Sequence, residues 1–293
     1  MDIFKPSILQ AFLKERGLHP KKGLSQNFLT DGNIIQKIVN TAAISKGDQV
    51  IEIGPGPGAL TEALLEKGAS VTAIEMDPLF ARELHRLKTA KNHLEVICCD
   101  FLTFPLEDFF QKHPGKFKIV ANLPYHITTP ILTLLLPLHT SIESLTVMVQ
   151  KEFADRMIAK KRTPAYSSFT LFFEFYAKAT EWFVVSPNCF YPRPKVHSTV
   201  VHCQLHTPPI HINIPAFFQL TRAAFGKRRK MLRTSLKEQY PVEKIEHALQ
   251  NIGCPPTARP EELSLQEFIL LFELLNNRTS QQGQGPLLPP SPT

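Results

Sequence analysis

Residues 49–61 read QVIEIGPGPGALT, a β-branched run that ends in three glycines spaced two apart and then turns helical. A strand feeding a glycine-rich turn and a helix opens a nucleotide-binding α/β unit, because glycines let the backbone turn tightly and let a ligand approach it closely. Gly54-Pro55-Gly56-Pro57-Gly58-Ala59 fits the loose dinucleotide pattern. Pro55 and Pro57, however, carry no N–H, which removes donors from a loop that would otherwise cradle a pyrophosphate. A ligand without phosphate fits better.

Downstream of the loop, short β-branched runs alternate with helical patterns of about ten residues, the signature of a parallel sheet covered by helices. After 49–54 the runs SVTAIEM (70–76), LEVICC (94–99), FKIVAN (117–122) and SLTVMV (144–149) predict strands. Helices are predicted near 59–67, 79–90, 130–136 and 151–161, with Pro130 at N1 after Thr129. Residues 168–205 predict a helix and then strands near 179–185 and 196–205, so the fold class is a doubly wound, mostly parallel seven-stranded α/β sheet. Upstream, a helix over 7–17 is opened by Ser7 and Gln10 in capping-box relation, and a second begins at Asp31. From Pro215 strands vanish, and helices are predicted at 215–238, 242–252 and 261–276. The organisation is a cap (1–30), the α/β domain (31–208), a smaller helical domain (209–278) and a Gln/Gly/Pro/Ser-rich disordered tail (279–293).

Composition limits the class. The 293 residues are 43% hydrophobic and 20% charged, which excludes wholesale disorder and fibrous classes. Thirty-three Lys and Arg against 26 Asp and Glu give a net charge of +7, which makes a polyanion the first partner to consider. Five cysteines (Cys98, Cys99, Cys189, Cys203, Cys254), an odd number without ligand spacing, suggest neither a disulfide framework nor a metal site, and fit a reducing compartment. The N-terminus has no apolar signal segment and no Arg/Ser-rich leader, so a cytoplasmic location is expected. Residues Ile119 to Ile142 contain no Asp, Glu, Lys or Arg, but Pro124, Pro130 and Pro137 break the run, and it reads as a buried strand, a turn and a short helix.

Two carboxylates stand at strand ends beside the glycine loop. Glu75, 21 residues after Gly54, is placed to accept from both hydroxyls of a ribose, and Asp100 from an adenine amino group. An adenosine bearing a sulfonium in place of phosphates, S-adenosylmethionine, satisfies the proline-rich loop and both acids. The fourth strand ends in Asn122-Leu123-Pro124-Tyr125, at the carboxyl edge of the sheet beside that cofactor.

This Asn-Leu-Pro-Tyr resembles the amino-methyltransferase signature, and neighbouring segments make the chain similar to the ribosomal RNA adenine N6,N6-dimethyltransferases of the small-subunit (16S) type. The matching pieces are LSQNFL (24–29), EIGPGPGALT (52–61), NLPYHITTPIL (122–132), VQKEFADR (149–156), FYPRPKVHS (190–198) and AFGKRRKMLRTSL (224–236). The resemblance implies that the Asn122 side-chain oxygen and the Leu123 carbonyl accept from the adenine N6 amine. Pro124 fixes their turn, and Tyr125 and Phe190 stack on a base taken out of its helix. It also implies cofactor contacts from Asn27, Leu29, Gly54, Glu75, Asp100 and Asn122; the turn argument adds Gly56 and Gly58.

Between Ala224 and Leu236, Lys227, Arg228, Arg229, Lys230 and Arg233 form a basic run with no acid, expected on a helix facing RNA phosphates with Arg222, Lys21 and Lys22. The implied partner is 16S RNA in the small subunit or its precursor, met by a monomer without membrane or metal. Alternatives are a 23S RNA adenine methyltransferase of the macrolide-resistance type and a non-catalytic RNA-binding assembly or transcription factor on the same fold. Cys99, His126 and His197 depart from the family pattern, where glycine, asparagine and aspartate are usual.

Overall fold

Alternating strand and helix patterns build a central sheet in the computed structural model, which describes residues 2–21, 23, 26–208, 212–227 and 229–276. The chain divides into two compact units, 1–210 and 211–293. In the first, strands β1 (Phe28–Leu29), β2 (Gln49–Ile53), β3 (Ser70–Glu75), β4 (His93–Cys98), β5 (Phe117–Asn122), β6 (Ile142–Gln150), β7 (Ala177–Val185), β8 (Phe190–Tyr191) and β9 (Ser198–Leu205) form two sheets. The larger has seven strands in the order β4-β3-β2-β5-β6-β9-β7, and β9 runs antiparallel to its neighbours. The chain steps from β2 outward to β3 on one side, while β5 pairs with β2 on the other. That reversal opens a crevice at the carboxyl ends of β2 and β5, where doubly wound sheets bind ligands. The smaller sheet pairs β1 with β8, Phe28 opposite Tyr191 and Leu29 opposite Phe190, and so ties the loop before residue 30 to the FYPRPKV segment.

Helices α1 (Pro6–Glu15), α2 (Gly32–Thr41), α3 (Ala59–Glu66), α4 (Pro78–Leu84), α5 (Leu106–Lys112), α6 (Thr128–Leu135), α7 (Lys151–Met157) and α8 (Ser168–Tyr176) complete this unit. Ile35, Ile38, Val39, Leu60 and Leu64 of α2 and α3 are buried against Val50, Val71, Ala73 and Val120 of the sheet. Each such side chain contributes roughly 1.5–3 kcal/mol when fully buried. Asp31 caps α2 as predicted, accepting from the backbone N–H groups of Asn33 and Ile34 at 2.9 and 3.2 Å.

Some predicted boundaries move, each for a local reason. The expected Ser7–Gln10 capping box is absent: Pro6 occupies the first turn of α1, Lys5 is its N-cap, and Ser7 lies inside the helix. Thr128, not Pro130, opens α6, because a 3-10 turn over Tyr125–Ile127 runs straight into it and the Thr128 hydroxyl donates to the Pro124 carbonyl at 3.0 Å. The helix predicted over 79–90 ends at Leu84 and tightens into a 3-10 turn, and that over 151–161 ends at Met157.

Gly58 opens α3 with φ +89°, and a Cβ there would meet Leu84 Cδ2 at 2.7 Å and Leu87 Cδ1 at 2.9 Å. Gly58→Ala is therefore expected to lower stability by about 1–3 kcal/mol, read as a lower urea midpoint at unchanged slope.

The second unit is built from α9 (Ile214–Gly226), α10 (Leu232–Ser235), α11 (Val242–Asn251) and α12 (Leu265–Asn276). Phe217, Leu220, Leu232, Ile245, Leu249, Phe268 and Phe272 are buried in it, with the Phe217 and Phe272 rings 5.7 Å apart, edge to face. The single helix predicted over 215–238 is broken. Gly226, a poor helix former, ends α9, Arg229 adopts a left-handed φ of +68°, and α10 restarts with the Leu232 N–H donating to the Ala258 carbonyl at 2.9 Å. The tail expected over 279–293 lies outside the described residues. Among those described, no helix is long and apolar enough to cross a membrane.

Candidate active site

The crevice at the ends of β2, β3 and β5 is a partly open cavity of about 100 Å³. The glycine loop forms its floor: Gly54 and Gly56 take φ of +65° and +54°, and the Gly56 N–H donates 2.9 Å to Glu75 Oε2. Glu75 Oε1 accepts from the Asp77 N–H at 2.8 Å. The buried carboxylate at the end of β3 thus pins both the loop and the turn after its own strand. Burial raises its pKa, the N–H donors of Asp77 and Gly56 oppose that, and the Asp77 charge adds to the rise. The Met76 N–H also acts on this carboxylate and opposes the rise.

Asp100 follows β4 and commits Oδ1 to the Leu102 N–H at 2.9 Å, which leaves Oδ2 as its uncommitted carboxylate oxygen. Cys99 also lines the cavity, and burial followed by the Asp100 charge pushes its thiol pKa up. Asn122 ends β5 with its Nδ2 donating 2.9 Å to the Asn27 carbonyl, so the SQNFL segment orients the amide and Oδ1 is the atom left to accept. Leu123 donates its own N–H to the Met148 carbonyl at 3.1 Å, and the Ile127 N–H closes on the Pro124 carbonyl at 3.2 Å. The Tyr125 hydroxyl shares a 2.8 Å hydrogen bond with Ser198 Oγ of β9, which fixes the ring, and burial keeps the phenol neutral by raising its pKa.

Asn27, Gly54, Gly56, Glu75, Asp100, Asn122, Leu123, Pro124 and Tyr125 are all brought to this one cavity. Three sequence assignments fall elsewhere. Gly58 stands behind the loop as the N-cap of α3, where its role is packing against Leu84 and Leu87. Leu29 is buried in β1 and faces a second, smaller cavity. Phe190, expected as a second aromatic wall, is 5% exposed; its ring belongs to the hydrophobic core beneath the β1–β8 pair, not to the cavity lining. Sequence reasoning missed Met76 and Phe101, which line the cavity directly after the two acids. The signal was available, since an apolar residue just past a strand-end acid faces the ligand, and Met76 is 50% exposed, as expected of a side chain a flat ring would cover.

The basic residues do not form one helix face. Lys227 pairs with Glu238 at 2.7 Å, Arg233 with Glu246 at 2.6 Å, and Lys21 with buried Asp77 at 2.7 Å. Arg222, Arg229 and Lys230 are exposed, the last two in the loop between α9 and α10. Lys22 and Arg228 lie outside the described residues. Among the described residues, no group of three His, Cys, Asp or Glu is arranged to hold a metal.

A seven-stranded, mostly parallel sheet with a glycine loop, a ribose-type acid and Asn-Leu-Pro-Tyr at one crevice defines a class I methyltransferase acting on an amine. The chain belongs to the ribosomal RNA adenine dimethylase family, whose model matches residues 17–277, and whose members take methyl groups from S-adenosylmethionine. It is 52% identical over 278 residues to the ribosomal RNA small subunit methyltransferase A of Protochlamydia amoebophila, covering 94% of this chain and 98% of that protein. To the protein of the same name in Chlamydia muridarum it is 46% identical over 273 residues, or 92% and 97% of the two chains. Among solved structures it resembles a dimethyladenosine transferase from Plasmodium falciparum, with TM-score 0.70 and 27% identity over 83% of this chain and 95% of that one. It also resembles the 23S rRNA methyltransferase ErmE, with TM-score 0.67 and 28% identity over 85% and 99%.

Proposed function

We propose that this chain dimethylates N6 of two adjacent adenosines in the 3′-terminal hairpin loop of 16S ribosomal RNA, late in small-subunit assembly, as a cytoplasmic monomer. The observation that carries the reading is the Asn122 amide, locked by Asn27 at 2.9 Å with its oxygen left to accept in a cavity shaped for an adenosine ligand.

The residues present fit the cofactor. Glu75 lines the cavity at the end of β3, where a carboxylate accepts from ribose hydroxyls, Asp100 keeps Oδ2 for an adenine amino group, and the proline-interrupted loop supplies few phosphate donors. Gly54 and Gly56, with Asn27, line the floor on which it would lie, and Leu29 borders the smaller adjoining cavity. When bound, S-adenosylmethionine supplies an electrophilic methyl on a sulfonium.

The remaining work falls to this chain. An adenine N6 lone pair is delocalised into the ring, so the amine attacks poorly unless it is held pyramidal and in line. Asn122 Oδ1 and the Leu123 carbonyl accept its two N–H bonds, and Pro124 holds the turn that presents them. Tyr125, its hydroxyl anchored on Ser198, offers the ring face against which an extruded base stacks. No strong general base is required, because the amine proton becomes acidic only as the new N–C bond forms.

RNA is held through the exposed cations. Arg229→Ala and Lys230→Ala are each expected to weaken RNA binding and to reduce the slope of log K against log salt by about one or less, measured by filter binding. Paired Lys227 is expected to change the slope less. The function is tested by labelled methyl transfer into undermethylated small subunits, with naked 23S RNA alongside. Label confined to 23S RNA would favour the resistance-type enzyme, and RNA binding without transfer would favour a non-catalytic factor.

A further inference from the structure

The glycine loop is braced on two sides. From the cavity side Glu75 takes the Gly56 N–H at 2.9 Å; from behind, Arg86 Nη2 donates to the Pro57 carbonyl at 2.5 Å. Arg86 stands in the 3-10 turn His85–Leu87 that ends α4, and its Nη1 donates to the Glu83 carbonyl at 2.9 Å. Its guanidinium also lies 4.9 Å from the centre of the Phe12 ring of α1. Arg16, the C-cap of α1, approaches the same ring at 4.3 Å, and its Nε donates to Glu83 Oε2 at 2.6 Å, so Glu83 serves both cations. Phe12 is buried in an apolar cluster with Leu9, Leu13, Phe28 and Phe80, and Phe28 lines the cofactor crevice. Phe12 itself lines neither that crevice nor the smaller cavity beside it.

A loop of this composition needs outside support. Gly54, Gly56 and Gly58 take φ of +65°, +54° and +89°, and unrestrained glycines visit many alternatives. Pro55 and Pro57 offer no N–H with which the loop could close on itself. Within the turn the Gly58 N–H reaches the Pro55 carbonyl at 3.0 Å, while the Pro57 carbonyl takes its donor from Arg86. Arginine suits the place because its fork serves two carbonyls while its flat face lies on a ring, and lysine can do neither. Burial works against the Arg86 charge, the Glu62 and Glu83 carboxylates support it, and Arg16 opposes it.

We propose that Arg86 is a positioning residue for methyl transfer: it holds the glycine loop in the shape that receives S-adenosylmethionine, and through Phe12 it makes cofactor affinity depend on the docking of α1. The inference rests on the proposed cofactor site. Affinity falls by the fraction of chains whose loop has the receiving shape. Arg86→Ala is therefore expected to raise the Kd and KM for S-adenosylmethionine about tenfold or more, with kcat at saturating cofactor within about twofold. Arg86→Lys keeps the charge without the fork and should fall between. Phe12→Leu keeps an apolar side chain but removes the ring, and should weaken cofactor binding about threefold although Phe12 is outside the crevice. The double variant Phe12→Leu/Arg86→Ala should bind no more weakly than Arg86→Ala alone, because both changes release the same brace.

The test is calorimetric titration of each full chain with S-adenosylmethionine, with a urea midpoint for each and labelled methyl transfer into small subunits for KM and kcat. A lowered midpoint with wild-type Kd and KM in Arg86→Ala would make Arg86 a residue of stability alone and overturn the proposal. Losses that add in the double variant, or an unchanged Kd in Phe12→Leu, would overturn the link to α1. Should Arg86→Ala not fold, Arg86→Lys takes its place in both comparisons. Failure of the wild-type chain to bind S-adenosylmethionine would overturn the cofactor site instead.

Discussion

Asn122→Ala is expected to lower the rate of methyl transfer at least about a hundredfold while RNA affinity stays within about twofold. The size follows from what the side chain is placed to do. Its Nδ2 is spent on the Asn27 carbonyl at 2.9 Å, and its oxygen is the acceptor that would hold the amine in an attacking geometry. Removing one preorganised hydrogen-bonding group from a transition state typically lowers kcat by about 10²–10³, and misplacing a reactant by about an ångström does similar damage. The cations proposed to hold RNA lie on other segments, so binding should be spared. Single-turnover rates with filter binding on the same preparation separate the two effects, and an equal loss of RNA binding would refute the assigned role. Asn122→Asp keeps the oxygen but loses the donor to Asn27, and should fall between the two.

Glu75→Ala is expected to weaken cofactor binding at least about a hundredfold and to destabilise the free chain. Two buried N–H groups, of Gly56 and Asp77, lose their acceptor, at roughly 1–3 kcal/mol each. The loop they hold carries Gly54 and Gly56 in left-handed conformations, so the cavity floor loses shape as well as the proposed ribose acceptor. Calorimetric Kd and a urea midpoint check both halves. Loss of cofactor binding with no change in midpoint would leave Glu75 as a ligand contact without a structural role in the loop.

The glycine loop, the strand-end acids and Asn-Leu-Pro-Tyr were legible because each is a local device: a turn that needs glycine, a carboxylate at the carboxyl end of a strand, a proline that fixes a turn. Their convergence on one cavity follows from the strand order, which places the carboxyl ends of β2, β3 and β5 together. What escaped depends on distant packing. Phe190 matched a motif as an aromatic wall, yet pairing of β8 with β1 turns its ring into the core. The basic run read as one helical face because helix propensity is high there except at Gly226, and that single residue ends α9. Its cations are shared between exposed positions and ion pairs with Glu238 and Glu246, acids 11 and 13 residues beyond their partners Lys227 and Arg233.

The central claim is the product and its place. Small subunits from a strain lacking this modification, incubated with the purified chain and S-adenosylmethionine, would be digested and the 3′-terminal fragment of 16S RNA sequenced by mass spectrometry. The account predicts N6,N6-dimethyladenosine at two adjacent positions of the hairpin loop, absent with the Asn122→Ala chain. Methylation at any other base or ring position, or none in subunits that the chain demonstrably binds, would contradict it.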